Sequence, residues 1–400
     1  MSLLKNGIVI SKRNFLLNLL LFSIFFTLYF VFSSIITKFV IQLPNDRLIV
    51  QASFCFVVAA TLTMSSFVVY RINKLVRTYL APTAIILFTI LLYLFPNNIV
   101  SIAILFAAGI FLSIGLMSFL MYFWETTVPE ERGRISGFIG FVALPSNFAV
   151  AYLVAPSLDF LSAAVVSIIF SSVVIAIAPL QTKPSVTAKK KEKWSYSEKR
   201  TILLYSIPWV VFSLVNVTFA KNASASISLQ IAPSSYLLIL GLQFVGVIFG
   251  CIIGGTVADF YGRKLSLALS LTSYGISTVL IGILDNINVI AFAYVLNGLS
   301  WGVLFTLYIF VVWGDLANGE NCARVYSIGI AIYYLSSGVG LIMQISFPVV
   351  IGSLFTCMLV FLSILPIMLA PELLSPYFRE RLRIKQHMKA IKKIGRKSKD

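Results

Sequence analysis

Apolar runs of about 18–25 residues, the length that crosses the hydrocarbon of a bilayer as a helix, recur from one end of the chain to the other. Short polar breaks between them hold nearly all of the charge. The runs show no alternating polarity over segments of about ten residues, which argues against a β-barrel. Spanning backbone must satisfy its own hydrogen bonds, which leaves helices. The pattern predicts twelve spans, near 14–38, 48–70, 79–96, 99–123, 135–155 and 160–180, then 201–221, 234–255, 265–284, 288–313, 325–347 and 349–370. Turn and capping residues punctuate the breaks at Pro44-Asn45-Asp46, Pro96-Asn97-Asn98, Pro156-Ser157 and Asp285-Asn286.

Composition agrees with an all-α integral membrane protein. Hydrophobic residues make up 59% and charged residues 11% of the chain, more apolar surface than a water-soluble fold of this size can bury. The net charge of +17 is mainly a topology signal. Of the 31 Lys and Arg residues, Lys38, Arg47 and Lys221 fall on one side of the predicted membrane, and all others fall on the opposite side or in the terminal segments that share it. Basic residues stay inside, so both termini are expected in the cytoplasm, with the protein in the cell membrane. The basic tail and linker are expected to lie on anionic lipid headgroups. No fold is left over to support nucleic-acid binding. Nothing resembles a cleavable signal peptide, because the first run is too long and no small-residue cleavage site follows. Cys55, Cys251, Cys322 and Cys357 have no metal-ligand spacing and are expected to be free thiols.

The chain repeats itself. Lys12-Arg13 opens the first span as Lys199-Arg200 opens the seventh. Glu125 and Arg134 follow the fourth span as Asp315 and Arg324 follow the tenth, both offset by 190. Ala178-Pro179 ends the sixth span as Ala370-Pro371 ends the twelfth. Three coincidences in register predict two parallel six-helix repeats: a first bundle over 1–180, a basic linker over 181–200, a second bundle over 201–370, and a basic tail over 371–400. Parallel repeats of this kind suit carriers that rock two bundles about a central site.

The break after the eighth span reads Gly255-Thr256-Val257-Ala258-Asp259-Phe260-Tyr261-Gly262-Arg263-Lys264. Gly255 lets two helices approach. Asp259 can face the positive N-terminus of a neighbouring helix. Gly262 permits a tight turn. Arg263 and Lys264 can reach an acid on another loop, with Asp315 as the natural partner. This loop resembles the signature cytoplasmic loop of the major facilitator superfamily. Trp124-Glu125 with Pro129-Glu130-Glu131-Arg132-Gly133 resembles that family's loop after the fourth span. The resemblance covers the whole chain and implies the family's twelve-helix fold. It further implies a charge cluster that latches the cytoplasmic side, here Glu125, Arg132, Arg134, Asp259, Arg263, Lys264, Asp315 and Arg324. After the second span the signature is nearly lost, since Arg71-Ile72-Asn73-Lys74 lacks both its glycines and its acid.

The predicted membrane interior holds no clear ionisable residue at mid-depth, which speaks against a deep carboxylate proton relay and against a strongly charged cargo. If the family layout holds, neutral polar and aromatic groups line the cavity: Asn216, Asn297 and Trp301 first, then Trp209, Tyr29, Asn147, Gln243, Tyr333, Tyr334 and Gln344. These groups suit an uncharged or amphipathic organic solute, and each also suits helix-to-helix bonding. Gly298 and Gly302 are read as points where the tenth span bends. The chain has no GxxxxGK[ST] loop, no HExxH and one histidine, His387, in the tail. An enzyme, a metal site and a bound cofactor are therefore not expected, and no oligomer is implied. The expected function is secondary transport of a small solute. The alternative is a non-transporting or lipid-moving protein on the same fold.

Overall fold

A computed structural model describes residues 10–41, 47–69, 72, 74–94, 98–148, 160–180, 196–230, 232–283, 286–317, 321–343 and 348–374. The linker up to residue 195, the tail from residue 375 and Gln344 lie outside the described residues, as do the side chains of Tyr29, Lys38, Asn147, Lys221 and Asn222.

Twelve helices are present among the described residues: α1 (Lys12–Ile41), α2 (Arg47–Val68), α3 (Lys74–Leu94), α4 (Asn98–Thr126), α5 (Pro129–Phe148), α6 (Phe160–Ile177), α7 (Tyr196–Gln230), α8 (Pro233–Tyr261), α9 (Arg263–Ile283), α10 (Ile287–Thr306, continuing irregularly to Leu316), α11 (Cys322–Met343) and α12 (Val349–Leu369). Eight helices among the described residues are long and apolar enough to cross a membrane, and Thr78–Leu94 and Ala164–Leu180 are shorter apolar segments. The protein is a multi-pass membrane protein. Its four cysteines are free thiols.

Helix starts follow local chemistry. Pro129 opens α5, where its missing N–H costs nothing, and Glu130 and Glu131 fill the first turn near the helix's positive end. The expected start near 135 was therefore late, because charged residues read as loop form the first turn instead. Asn286 caps α10 by accepting from the Asn288 amide at 2.9 Å.

The packing repeats with a shift of six helices. In the first half α1 meets α5 and α6, α3 meets α4 and α6, and α2 meets α4. In the second half α7 meets α11 and α12, α9 meets α10 and α12, and α8 meets α10. Two seams join the halves, α2 with α11 and α5 with α8. These also correspond under the same shift.

Glycines set the closest seams. A Cβ on Gly246, Gly250 or Gly254 of α8 would strike the main chain of α10, and one on Gly298 or Gly302 would strike the main chain of α8. Gly298 and Gly302 thus serve close backbone contact. Small residues allow this approach, which substitutes for the hydrophobic drive that lipid removes. The same α8 meets α5 on another face, where Gly255 lies against the Gly133 carbonyl, and Gly137 and Gly140 lie against Cys251.

Gly298→Val should therefore lower the thermal midpoint of detergent-purified protein, because overpacking costs about 1–3 kcal/mol of stability. A Cβ on Gly241 meets nothing within 4 Å, so Gly241→Ala should leave the midpoint unchanged or raised. Equal losses in a fluorescence melt would refute backbone contact as the role of Gly298.

Candidate functional site: a buried charge latch and an aromatic plug

The break between α8 and α9 is tight. Gly262 adopts φ 113°, a value that favours glycine, and so turns the chain at once from one helix to the next. The turn leaves Asp259 on the last turn of α8 and Arg263 on the first of α9, four residues apart and both fully buried. Arg263 Nη1 meets Asp259 Oδ1 at 2.5 Å, and its Nε donates to Asp315 Oδ2 at 2.9 Å. Its Nη2 donates to the Pro129 carbonyl at 2.5 Å.

Asp259 also reaches the other half. Its carboxylate accepts from the Gly133 amide at 3.0 Å, the Arg134 amide at 2.8 Å and Arg134 Nε at 3.1 Å. Gly133 is required there, since a Cβ would collide with Asp259 Oδ1. Asp315, in the last turn of α10, takes Arg132 Nη1 at 2.5 Å. Arg132 also donates to Thr127, from Nε to the hydroxyl at 3.3 Å and from Nη2 to the carbonyl at 3.2 Å. Trp124 Nε1 donates to the Gly314 carbonyl at 3.0 Å. Two carboxylates and three guanidiniums are thus withdrawn from water and bound across the α5–α8 seam. Buried charges persist only when paired and fully hydrogen-bonded, and these are.

Two of the other sequence candidates, Lys264 and Arg324, make contacts of another kind. The Lys264 ammonium donates to the Met368 carbonyl at 2.7 Å. Arg324 is exposed and lies over the Phe67 ring at 4.8 Å, across the α2–α11 seam. Glu125 is half-buried in the last turn of α4. Sequence reasoning missed Glu372. It caps α9 by accepting from the amides of Arg263 at 2.8 Å and Lys264 at 3.3 Å. The signal was there in Pro371-Glu372 directly after the last span, but nothing local says which helix end it caps.

Next to the charges, towards the middle of the helices, lies a plug of aromatic rings. Phe310 of α10 sits 5.0 Å from Phe22 of α1 and 5.0 Å from Phe123 of α4. Phe26, Phe119 and Phe305 extend the cluster. In the second half Trp209 stacks on Tyr308 at 4.5 Å and on Phe212 at 5.7 Å, and donates Nε1 to the Gly329 carbonyl at 2.7 Å. Trp209 is therefore a buried packing element with its N–H already used. Asn297 is buried too: it accepts from Gln243 at 3.0 Å and donates to Ser277 at 3.2 Å, tying α8, α9 and α10 together. Asn216 is half-buried and accepts from the Tyr274 hydroxyl at 3.0 Å. Trp301 is half-buried and stacked on Phe305 at 5.4 Å, and Tyr333 and Tyr334 are half-buried side by side. Among the described residues no group of three or more His, Cys, Asp and Glu is arranged to hold a metal.

Residues 185–311 match the family model described as sugar (and other) transporter. No curated protein sequence matches the chain significantly. Among solved structures the fold is similar to that of the human organic anion transporter MFSD10, with a TM-score of 0.71, 11% identity, and coverage of 89% of this chain and 99% of that one. It is also similar to a variant of the E. coli fucose:proton symporter FucP, with a TM-score of 0.68, 13% identity, and coverage of 89% and 98%. FucP in the outward conformation, described as a major facilitator superfamily transporter, matches with a TM-score of 0.68 and 11% identity, again covering 89% and 98%. Identities this low speak for a shared fold and leave the cargo open.

Removing one partner from a buried charge network strands the others, at a cost of about 3–5 kcal/mol. Asp259→Asn should accordingly loosen the α5–α8 seam and expose Cys251 to alkylation by a membrane-permeable maleimide, with Cys55, Cys322 and Cys357 replaced by Ser. Arg324→Ala removes an exposed cation–π contact of about 0.5–1 kcal/mol and should leave Cys251 protected. Equal alkylation in the two variants would remove the buried network from the account.

Proposed function

We propose, for this member of the major facilitator superfamily, that a small uncharged or amphipathic organic solute crosses the membrane by alternating access between a first bundle, 1–180, and a second, 201–370. The latched end faces the cytoplasm, where the basic loops, both termini, the linker and the tail lie against anionic headgroups. The observation that carries this reading is the buried network of Asp259, Arg263 and Asp315 with Arg132, Arg134 and the Pro129 carbonyl. Every cross-half bond in it joins the same two bundles at one end of the molecule. Such a contact favours one arrangement of two rigid bodies and must break before that end opens.

The solute class follows from what the middle of the bundle offers. Among the described residues no Lys or Arg sits at mid-depth; Arg132, Arg134, Arg263 and Arg324 all lie at helix ends. Half-buried Trp301, Tyr333 and Tyr334 supply ring faces, and Asn216 and Gln243 supply amides. Ring faces and amides recognise neutral hydroxylated or aromatic solutes. The matching family description, sugar (and other) transporter, supports that class.

A thermal-shift screen of sugars, polyols, amino acids, organic acids, nucleosides and amphipathic drugs names the cargo, since a bound ligand stabilises the folded state by about 2.7 kcal/mol at 100 times its dissociation constant. Flux of the hit in proteoliposomes then tests the mechanism. A short bifunctional crosslink between Glu130→Cys on α5 and Tyr261→Cys on α8 should abolish flux while leaving binding measurable. Undiminished flux in crosslinked protein would sink alternating access. Stabilisation by added phospholipid, with none of these solutes active, would favour the lipid-moving alternative.

A further inference from the structure

α10 is not a regular helix. After Thr306 it widens into a π turn over Leu307–Val311 and resumes as α-helix at Val312–Leu316. The Val312 amide bonds the Leu307 carbonyl, five residues back. A π turn inside an α-helix amounts to one inserted residue, and such turns concentrate at functional sites. This one is buried throughout and faces both halves. Tyr308 stacks on Trp209 of the second half, and Phe310 enters the ring cluster of the first.

The turn is held at some cost. A π turn has one more main-chain carbonyl than it has helical amides to match. The Tyr326 hydroxyl of α11 donates to the Phe310 carbonyl at 2.7 Å, inside the widened turn. The Tyr308 hydroxyl and the Trp313 Nε1 are buried without a hydrogen-bond partner. Unsatisfied buried polar groups favour any rearrangement that frees them. On one side of the turn α10 carries half-buried Trp301; on the other it carries Asp315, bound to Arg132 and Arg263.

We infer that the π turn is a register switch and that Phe310 is the gate it works, with Tyr326 as the residue that positions it. With the extra residue held between 307 and 311, Phe310 fills the first half's ring cluster and Asp315 meets its two arginines. Passing that residue along the helix beyond Asp315 turns the segment it crosses, Phe310 and Asp315 included, by about 100° and shifts it about 1.5 Å. Phe310 and Asp315 then withdraw together, so plug and latch open as one event. The switch rests on the alternating-access reading above.

The test uses full-length protein in liposomes with Cys251 as its single cysteine, and reads the rate of maleimide alkylation. Deleting Ile309 removes the inserted residue and leaves both flanks of α10 in their present register, so the second register no longer exists. Asp259→Asn alone should raise alkylation at least about tenfold, as expected when a buried charge pair is broken. Adding the Ile309 deletion should return the rate to that of the parent. Tyr326→Phe, in monodisperse protein that retains its thermal midpoint, should raise the rate several-fold. A double variant that alkylates as fast as Asp259→Asn would overturn the switch while leaving alternating access standing. If the deletion does not fold, Tyr326→Phe decides, and an unchanged rate there overturns the proposal. Should Asp259→Asn itself alkylate no faster than the parent, opening at this end fails and the switch fails with it.

Discussion

The structure at the latched end depends on one buried carboxylate. Asp259 is fully enclosed, and its two oxygens receive two main-chain amides and two guanidinium groups. An enclosed carboxylate tolerates nothing less, because each missing donor leaves charge unsolvated. That demand dictates its neighbours. The amides of Gly133 and Arg134 come within reach only if α5 and α8 touch backbone to backbone, and Gly133 and Gly255 at the crossing permit it. Arg263 can serve Asp259, Asp315 and Pro129 together only because Gly262 starts α9 immediately. Small residues, turn and charges are thus one device. A partly separated seam would strand several ions at once.

Much of this was legible in the sequence, and the limits are physical. Twelve apolar runs follow from the cost of burying charge and unbonded backbone in lipid. The nearness of Asp259, Arg263 and Asp315 was also readable, because a helix end, a glycine turn and a helix start leave little freedom. The facing of the interior residues was not. Spans that are apolar all round carry no stripe to tell core from cavity from lipid. Asn297 and Trp209 therefore read as cavity groups, yet Asn297 ties three helices together and Trp209 packs against Tyr308. The widened turn of α10 left no local mark either, for Leu307-Tyr308-Ile309-Phe310-Val311 is ordinary apolar helix sequence whose geometry is decided by its neighbours.

The repeat is faithful in packing and broken in chemistry. Arg134 and Arg324 correspond under the 190-residue offset, as do Asp259 and Val69. Where the second half places an acid for Arg134, the first half places an apolar residue, and Arg324 rests on Phe67 instead. The α5–α8 seam is consequently held by ions and main-chain donors. In the α2–α11 seam Arg324 lies over the Phe67 ring, and farther along the same seam Gly338 lies against Phe56 and the Ala52 carbonyl.

The placement of the aromatic plug beside the ions explains why the two belong together. Attraction between charges weakens steeply as water raises the local dielectric. Phe22, Phe123, Phe305 and Phe310 fill the space between the middle of the bundle and the arginines, so the network stays dry while the plug is seated. Withdrawing the rings would admit water to Arg132 and Asp315 and weaken their bond. Breaking that bond would in turn free the end of α10 that carries the rings. Each element therefore stabilises the condition under which the other is strong. Under the proposed mechanism, a solute that displaced Trp301 or Phe305 would shift one helix and loosen both.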